Sequence, residues 1–183
     1  MIPLLEKQTD TIVIRESTQG DAARLADYFA VLASELVNNT GFRSVLIDVS
    51  YNGALDYITR HAKSETSNLF LAIEGEAIVG LIAATGDRMP FRRHNAEVSI
   101  NVHPDYRGRG LGSRLFEWLL PWVANESRIR RLYLEVLTRN TSAIGLYTKF
   151  GFTVEARFEN IYYLLDENPP SYQSSLVMAR YYA

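Results

Sequence analysis

A single mixed α/β (α+β) domain is what this sequence predicts, and three observations predict it. Strand-like alternation and helix-like i, i+3, i+4 spacing of apolar residues take turns along the chain. The 183 residues pass without a repeat, a low-complexity tract or a linker, so residues 1–183 are expected to share one core. A glycine-rich run, "RGRGLG" at 107–112, stands between a strand pattern and a helix pattern.

The elements follow in order. "TIVIRES" (11–17) alternates as a first strand. Leu25, Phe29, Leu32 and Leu36 then recur at helical spacing, with Asp21 as the expected N-cap. "NGALDYITRHAKSE" (52–65) reads as a second helix with Leu55, Ile58 and Ala62 on its stripe. Two apolar runs divided by "EGE" predict a hairpin turning at Gly75. "AEVSINV" (96–102) is the next strand, and the helix behind the glycines puts Leu111, Leu115, Trp118, Leu119 and Trp122 on one face. Pro121 should kink that helix or end its regular part. "RLYLEVL" (131–137) is a strand, and Ala143, Leu146, Tyr147 and Phe150 form the stripe of a short helix closed by Gly151. A strand pair follows around the loop "DENPPS" (166–171).

Bulk properties exclude several functions. The net charge of -2 and the lack of a basic run argue against nucleic-acid binding. "LFEWLLPWVA", the most apolar stretch, is too short for a bilayer and carries Glu117. "MIPLLEKQTD" does not read as a signal peptide, so a cytoplasmic protein is expected. There is no cysteine, which removes disulfides, thiolate nucleophiles and cysteine-ligated metals. His61, His94 and His103 lie far from any metal-ligand spacing, so no metal is expected.

Gly108, Gly110 and Gly112 run into the first helical turn, where each costs ~1 kcal/mol against alanine. A plain turn needs one or two. With Arg107, Arg109 and Arg114 around them, at a helix N-terminus, they read as an anion site: free amides point outward and the helix dipole favours negative charge. A P-loop would need Gly-Lys-Ser/Thr, but Ser113-Arg114 follows Gly112. The dinucleotide fingerprint G-x-G-x-x-G fails at Ser113.

"R-G-R-G-L-G" instead resembles the R/Q-x-x-G-x-G/A pyrophosphate loop of the GNAT acetyltransferase superfamily. "LEVLTRNTSAIGLYTKFGF" (134–152) resembles that family's strand followed by N-x-x-A-x-x-L-Y-x-x-x-G-F. The pattern is nearest to small bacterial amino-acid and polyamine-type members. The resemblance implies a central sheet of six to seven strands, splayed at its middle and flanked by four helices. It implies acetyl-CoA as cosubstrate, with Arg107, Gly108, Arg109, Gly110, Leu111, Gly112 and Ser113 on the pyrophosphate. The backbone at Ile100 and Val102 would pair with the pantetheine arm, and the amide near Val102 would polarise the thioester carbonyl. Asn140 would contact the cofactor or cap its helix.

The implied reaction is direct attack of an amine on the thioester. Tyr147 matches the family's general acid, although an aromatic on a helical stripe also serves as core. Glu97 is the candidate base, its alternative being an ion pair or hydrogen bond with Arg92, Arg93 or His94. The acceptor implied is a small amine, an amino acid or a protein N-terminus, and a homodimer is compatible with the pattern. The rivals are a non-catalytic acyl-CoA-binding module and a nucleotide-binding protein.

Overall fold

The computed structural model describes residues 12–36, 48–125, 128–164 and 171–183. Seven strands form one sheet in the order β1-β2-β3-β4-β5-β7-β6. They are β1 (Val13–Glu16), β2 (Asn68–Glu74), β3 (Ala77–Gly86), β4 (Asn95–Val102), β5 (Arg131–Leu137), β6 (Thr153–Leu164) and β7 (Ser171–Tyr181). Among the described residues four α-helices accompany them: α1 (Ala22–Leu36), α2 (Tyr51–Ala62), α3 (Leu111–Asn125) and α4 (Thr141–Lys149). Every strand pair is antiparallel except β4 with β5. The mixed α/β fold, the seven strands and the four helices agree with the sequence reading. The leader expected absent at 1–10, the side chain of Leu36 and most of the "DENPPS" loop lie outside the described residues.

Alternation along the strands splits the core in two. Leu69, Leu71, Leu81 and Ala83 turn to one face, under Leu25, Phe29, Leu32 and Ile58 of α1 and α2. Ala96, Val98, Leu132, Leu134 and Val136 turn to the other, under Leu111, Leu115, Phe116, Leu119 and Tyr147 of α3 and α4. No described helix is long and apolar enough to cross a membrane.

Four local expectations need correction. Asp21 is not the N-cap of α1: it closes a 3-10 turn, where its carboxylate accepts from the Thr18 amide (2.8 Å) and from Arg15 (2.6 and 2.8 Å). Helix α2 is capped by Ser50 and ends at Ala62; its buried line is Ala54, Ile58 and His61, with Ala62 exposed. In α3 the buried line is Leu111, Leu115, Phe116, Leu119 and Val123, which leaves Trp118 49% exposed. Pro121 neither ends α3 nor sits on its buried line, because its missing amide falls on the exposed side and the helix runs on to Asn125. The hairpin turns at Gly75 as expected, with φ +58.

Candidate active site

Strands β4 and β5 run parallel for only three residue pairs: Asn95–Arg131, Ala96–Leu132 and Glu97–Tyr133. Beyond them β4 follows β3 up to Val102–Gly80, while β5 follows β7 up to Leu137–Ser175. Residues 98–102 and 134–137 are therefore unpaired with each other, and a wedge-shaped gap opens at mid-sheet. The His103 amide donates to the Val79 carbonyl at 2.9 Å, so at that point the strand faces β3. By alternation Val102 and Ile100 turn their backbone N–H and C=O groups into the gap.

The glycine loop closes the wide end of the gap and is held from several sides. The Tyr106 hydroxyl donates to Glu74 at 2.5 Å, and that hydrogen bond raises the phenol's pKa. The Arg109 guanidinium lies 5.6 Å over the Tyr106 ring. The Arg107 Nε donates to the Val102 carbonyl at 3.0 Å, tying loop to strand. Gly108 and Gly110 have φ of +71 and +82, and a Cβ on either would meet no atom within 4 Å. Their role is conformational, and the space over them is open. Gly112 differs: a Cβ there would approach Leu146 Cδ2 at 3.0 Å, so its bareness lets α3 pack against α4. The Arg114 amide bonds the Gly110 carbonyl as the first turn of α3, which leaves the amides of Leu111, Gly112 and Ser113 without intrahelical acceptors. The Arg114 side chain is not part of the cluster around the glycines; it donates to the Ile12 carbonyl at 2.9 Å and anchors the first strand.

Helix α4 forms the far wall. The Asn140 side chain accepts from the Ala143 amide at 3.2 Å, the N-cap alternative for this residue. Tyr147 is 8% exposed and packed against Phe116 and Phe152, and burial pushes its phenol up to about 12. Lys149, which the sequence reading passed over, donates to the Ser113 hydroxyl at 3.1 Å and brings a cation to the α3 N-terminus.

The opposite face of the gap is polar. Since Ala96, Val98 and Ile100 join the α3–α4 core, Glu97 and Ser99 point the other way, toward α2. There the Tyr57 hydroxyl stands 3.5 Å from Ser99 Oγ. Burial raises the Tyr57 phenol, and the Glu97 charge adds a small part of the rise. His61 bonds the Tyr57 carbonyl (2.8 Å) and Thr85 Oγ1 (3.0 Å), and burial lowers its pKa. A carbonyl only accepts, so Nδ1 carries the proton and Nε2 takes the Thr85 hydroxyl. Two of the alternative partners for Glu97 are engaged elsewhere: Arg92 with Asp87 at 2.9 Å, His94 with Asn95 at 3.2 Å.

On β5, Tyr133 and Glu135 share this face, opposite Leu132, Leu134 and Val136 of the core. Glu135 is exposed and accepts from the Tyr162 hydroxyl (2.8 Å) and the Ser175 hydroxyl (2.5 Å). No linear pattern marks Ser99 or Glu135: Ser99 meets Tyr57 where α2 packs on the sheet, and Glu135 meets Tyr162 and Ser175 across β7 and β6.

A family model described as acetyltransferase (GNAT) family matches residues 40–152. Two curated relatives from Escherichia coli are an L-amino acid N-acetyltransferase, 32% identical over 48% of this chain and 53% of the relative, and a spermidine N(1)-acetyltransferase, 28% identical over 60% and 58%. The chain thus spans between half and three fifths of these relatives' lengths. A GNAT-family acetyltransferase structure from Streptococcus pneumoniae shares 27% identity and a TM-score of 0.84, covering 94% of this chain and 99% of that one. A Salmonella typhimurium acetyltransferase structure with its cofactor acetyl-CoA shares the fold at 17% identity and a TM-score of 0.78, covering 94% of both chains.

Proposed function

The chain belongs to the acetyltransferase (GNAT) family, and from that premise we propose that it transfers an acetyl group from acetyl-CoA to a primary amine by direct attack on the thioester. One observation carries the reading: the strand gap runs out at Val102, whose carbonyl accepts from Arg107 of the glycine loop that leads into the N-terminus of α3. A bare, positively charged loop over a helix N-terminus suits a pyrophosphate, and an open strand edge suits the amide-bearing pantetheine arm. Arg107, Arg109 and Lys149 supply charge at the loop, and Ile100 and Val102 supply the edge. Asn140 is assigned to the same cofactor wall, its side chain also capping α4.

In this reaction the amine nitrogen forms a bond to the acetyl carbon, and the carbon–sulfur bond breaks with its electron pair going to sulfur. Glu97 takes the proton that an ammonium must lose, directly or through one water. Tyr147 faces the departing sulfur. A phenol at about 12 lies above a thiol at about 8.5, so full transfer of its proton is roughly 5 kcal/mol uphill. Its part is to donate a hydrogen bond, with complete transfer only where the same apolar surroundings raise the thiol as well. The absence of cysteine from the chain suits direct transfer, since no thiol stands ready to carry the acetyl group. We read the reaction as cytoplasmic, with a small amine, an amino acid or a protein N-terminus as acceptor.

The test is CoA release over a panel of amines, alongside acetyl-CoA binding by calorimetry. Binding with turnover on at least one amine is the expected result. Binding without turnover on any amine would make the chain an acyl-CoA-binding module, and protection by ATP or NAD without any by acetyl-CoA would make it a nucleotide binder.

A further inference from the structure

We propose that Glu135 selects the acceptor: it holds a second cationic group, so the amine is a diamine or polyamine and not an α-amino acid. This rests on the reading of the β4–β5 gap as the acetyl-transfer site. Glu97 is the last β4 residue paired with β5, opposite Tyr133, and Glu135 is the next residue of β5 on the same face. One strand spacing and two residue rises separate the two Cα atoms by about 8 Å before the splay widens them. Two glutamate side chains bridge that span to nitrogens joined by three or four methylenes, about 5–6 Å apart by ordinary bond lengths.

The Glu135 carboxylate is held in place but not used up. Tyr162 from β6 and Ser175 from β7 both donate to Oε1. Oε2 has no partner among the described residues, and no cation there pairs with this carboxylate. The β6 strand is bulged to make this arrangement. The register with β7 shifts between Phe158 and Tyr162, Asn160 has φ +51, and its amide bonds Ser174 Oγ at 3.1 Å. The bulge brings Tyr162 to the face and position of Glu135.

The charge pattern favours the same acceptor. An α-amino acid would bring its own carboxylate between Glu97 and Glu135, where like charges repel. The guanidinium on this face of β5, Arg131, is already engaged by Glu155 and lies 4.4 Å over the Tyr133 ring. A second ammonium, in contrast, would meet a fixed carboxylate oxygen at a charge-assisted distance.

The experiment compares kcat/KM of the full chain for 1,4-diaminobutane, butylamine and L-alanine, with acetyl-CoA saturating. We expect the diamine to exceed butylamine by about tenfold, carried by KM, with L-alanine the poorest of the three. Glu135→Gln should bring the diamine-to-monoamine ratio close to one, and Glu135→Asp should restore most of it. Turnover without a diamine preference overturns this inference alone, as does a Glu135→Gln variant that slows both amines by one factor. Should Glu135→Gln not fold, Tyr162→Phe takes its place, with a partial fall in the ratio expected and an unchanged ratio counting against. No turnover on any amine would remove the acetyl-transfer reading and this inference with it.

Discussion

Replacing Gly110 by alanine separates what the loop glycines do for the fold from what they do for the ligand. At φ +82 an L-residue is held in the left-handed region, at a cost of about 1–2 kcal/mol. No atom lies within 4 Å of the added Cβ, so there is no packing clash on top of that strain. The variant either keeps the loop conformation and loses that much stability, or relaxes the loop and must restore it when the pyrophosphate binds. The second route weakens acetyl-CoA by about 5–30-fold, the equilibrium equivalent of 1–2 kcal/mol. Acetyl-CoA affinity by calorimetry and stability by urea unfolding separate the two routes. A pyrophosphate loop predicts the second route, with at least part of the strain read as lost acetyl-CoA affinity and the amine KM unaltered at saturating acetyl-CoA. Gly112→Ala serves as the contrast, since its cost comes from Leu146 at 3.0 Å and falls on α3–α4 packing. A Gly110→Ala enzyme with normal acetyl-CoA affinity and the entire loss in stability would refute the argument, for the glycine would then serve the fold alone.

Glu97→Gln should lower kcat by about 10²–10⁴-fold while acetyl-CoA affinity stays unchanged, as measured by CoA release and calorimetry; equal loss of both would point to a structural role. Tyr147→Phe should lower kcat by about tenfold, and unchanged turnover would remove the hydroxyl from the reaction. Because burial raises the Tyr147 pKa from about 10 to about 12, its neutral form stabilises the fold fully below pH 10 and progressively less as pH rises toward 12. The wild type should therefore lose about 2–3 kcal/mol more than Tyr147→Phe across that window, read from urea midpoints. Asp21 has the opposite sign: Arg15 first, then the Thr18 bonds, hold its carboxyl well below the usual range against the opposing effect of burial. Its contribution is present above about pH 4 and is lost as pH falls. Asp21→Asn should cost about 2 kcal/mol at pH 7, with the Arg15 side chain 38% exposed, and the gap to wild type should narrow below pH 4.

Apolar rhythm made the layout of this chain legible, and the glycine loop with the "NTSAIGLY" helix made the cofactor side legible. The errors have physical causes. Periodicity assigned Ala62 to the buried line of α2 because it is apolar, while the chain buries His61, whose two ring nitrogens are both bonded. It placed Trp118 in the core by spacing, although Phe116 is the fully buried residue and Trp118 stands half exposed with its ring 6.2 Å from that of Phe70. Arg114 looked like an anion ligand by proximity in sequence, but its long side chain crosses to Ile12. The acceptor side was the least legible. Glu97 was legible as a candidate base, but Glu135 follows it across the sheet only through the β4–β5 register, and no local pattern encodes where those strands part.

That parting has a consequence for solubility. A strand edge in mid-sheet is a template for any other extended chain, and proteins ordinarily guard such edges with lysine, proline or a covering helix. Here the two edges read "VSINV" and "LEVL", mostly apolar, with Ser99 and Asn101 polar and Glu135 their one charge. Beyond the three pairs at Asn95–Glu97 each strand keeps its other neighbour, β4 with β3 and β5 with β7. The edges are kept short, five residues on β4 and four on β5, and they lie on either side of the same gap. The same geometry that makes room for a pantetheine arm thus rations access to a single chain at a time.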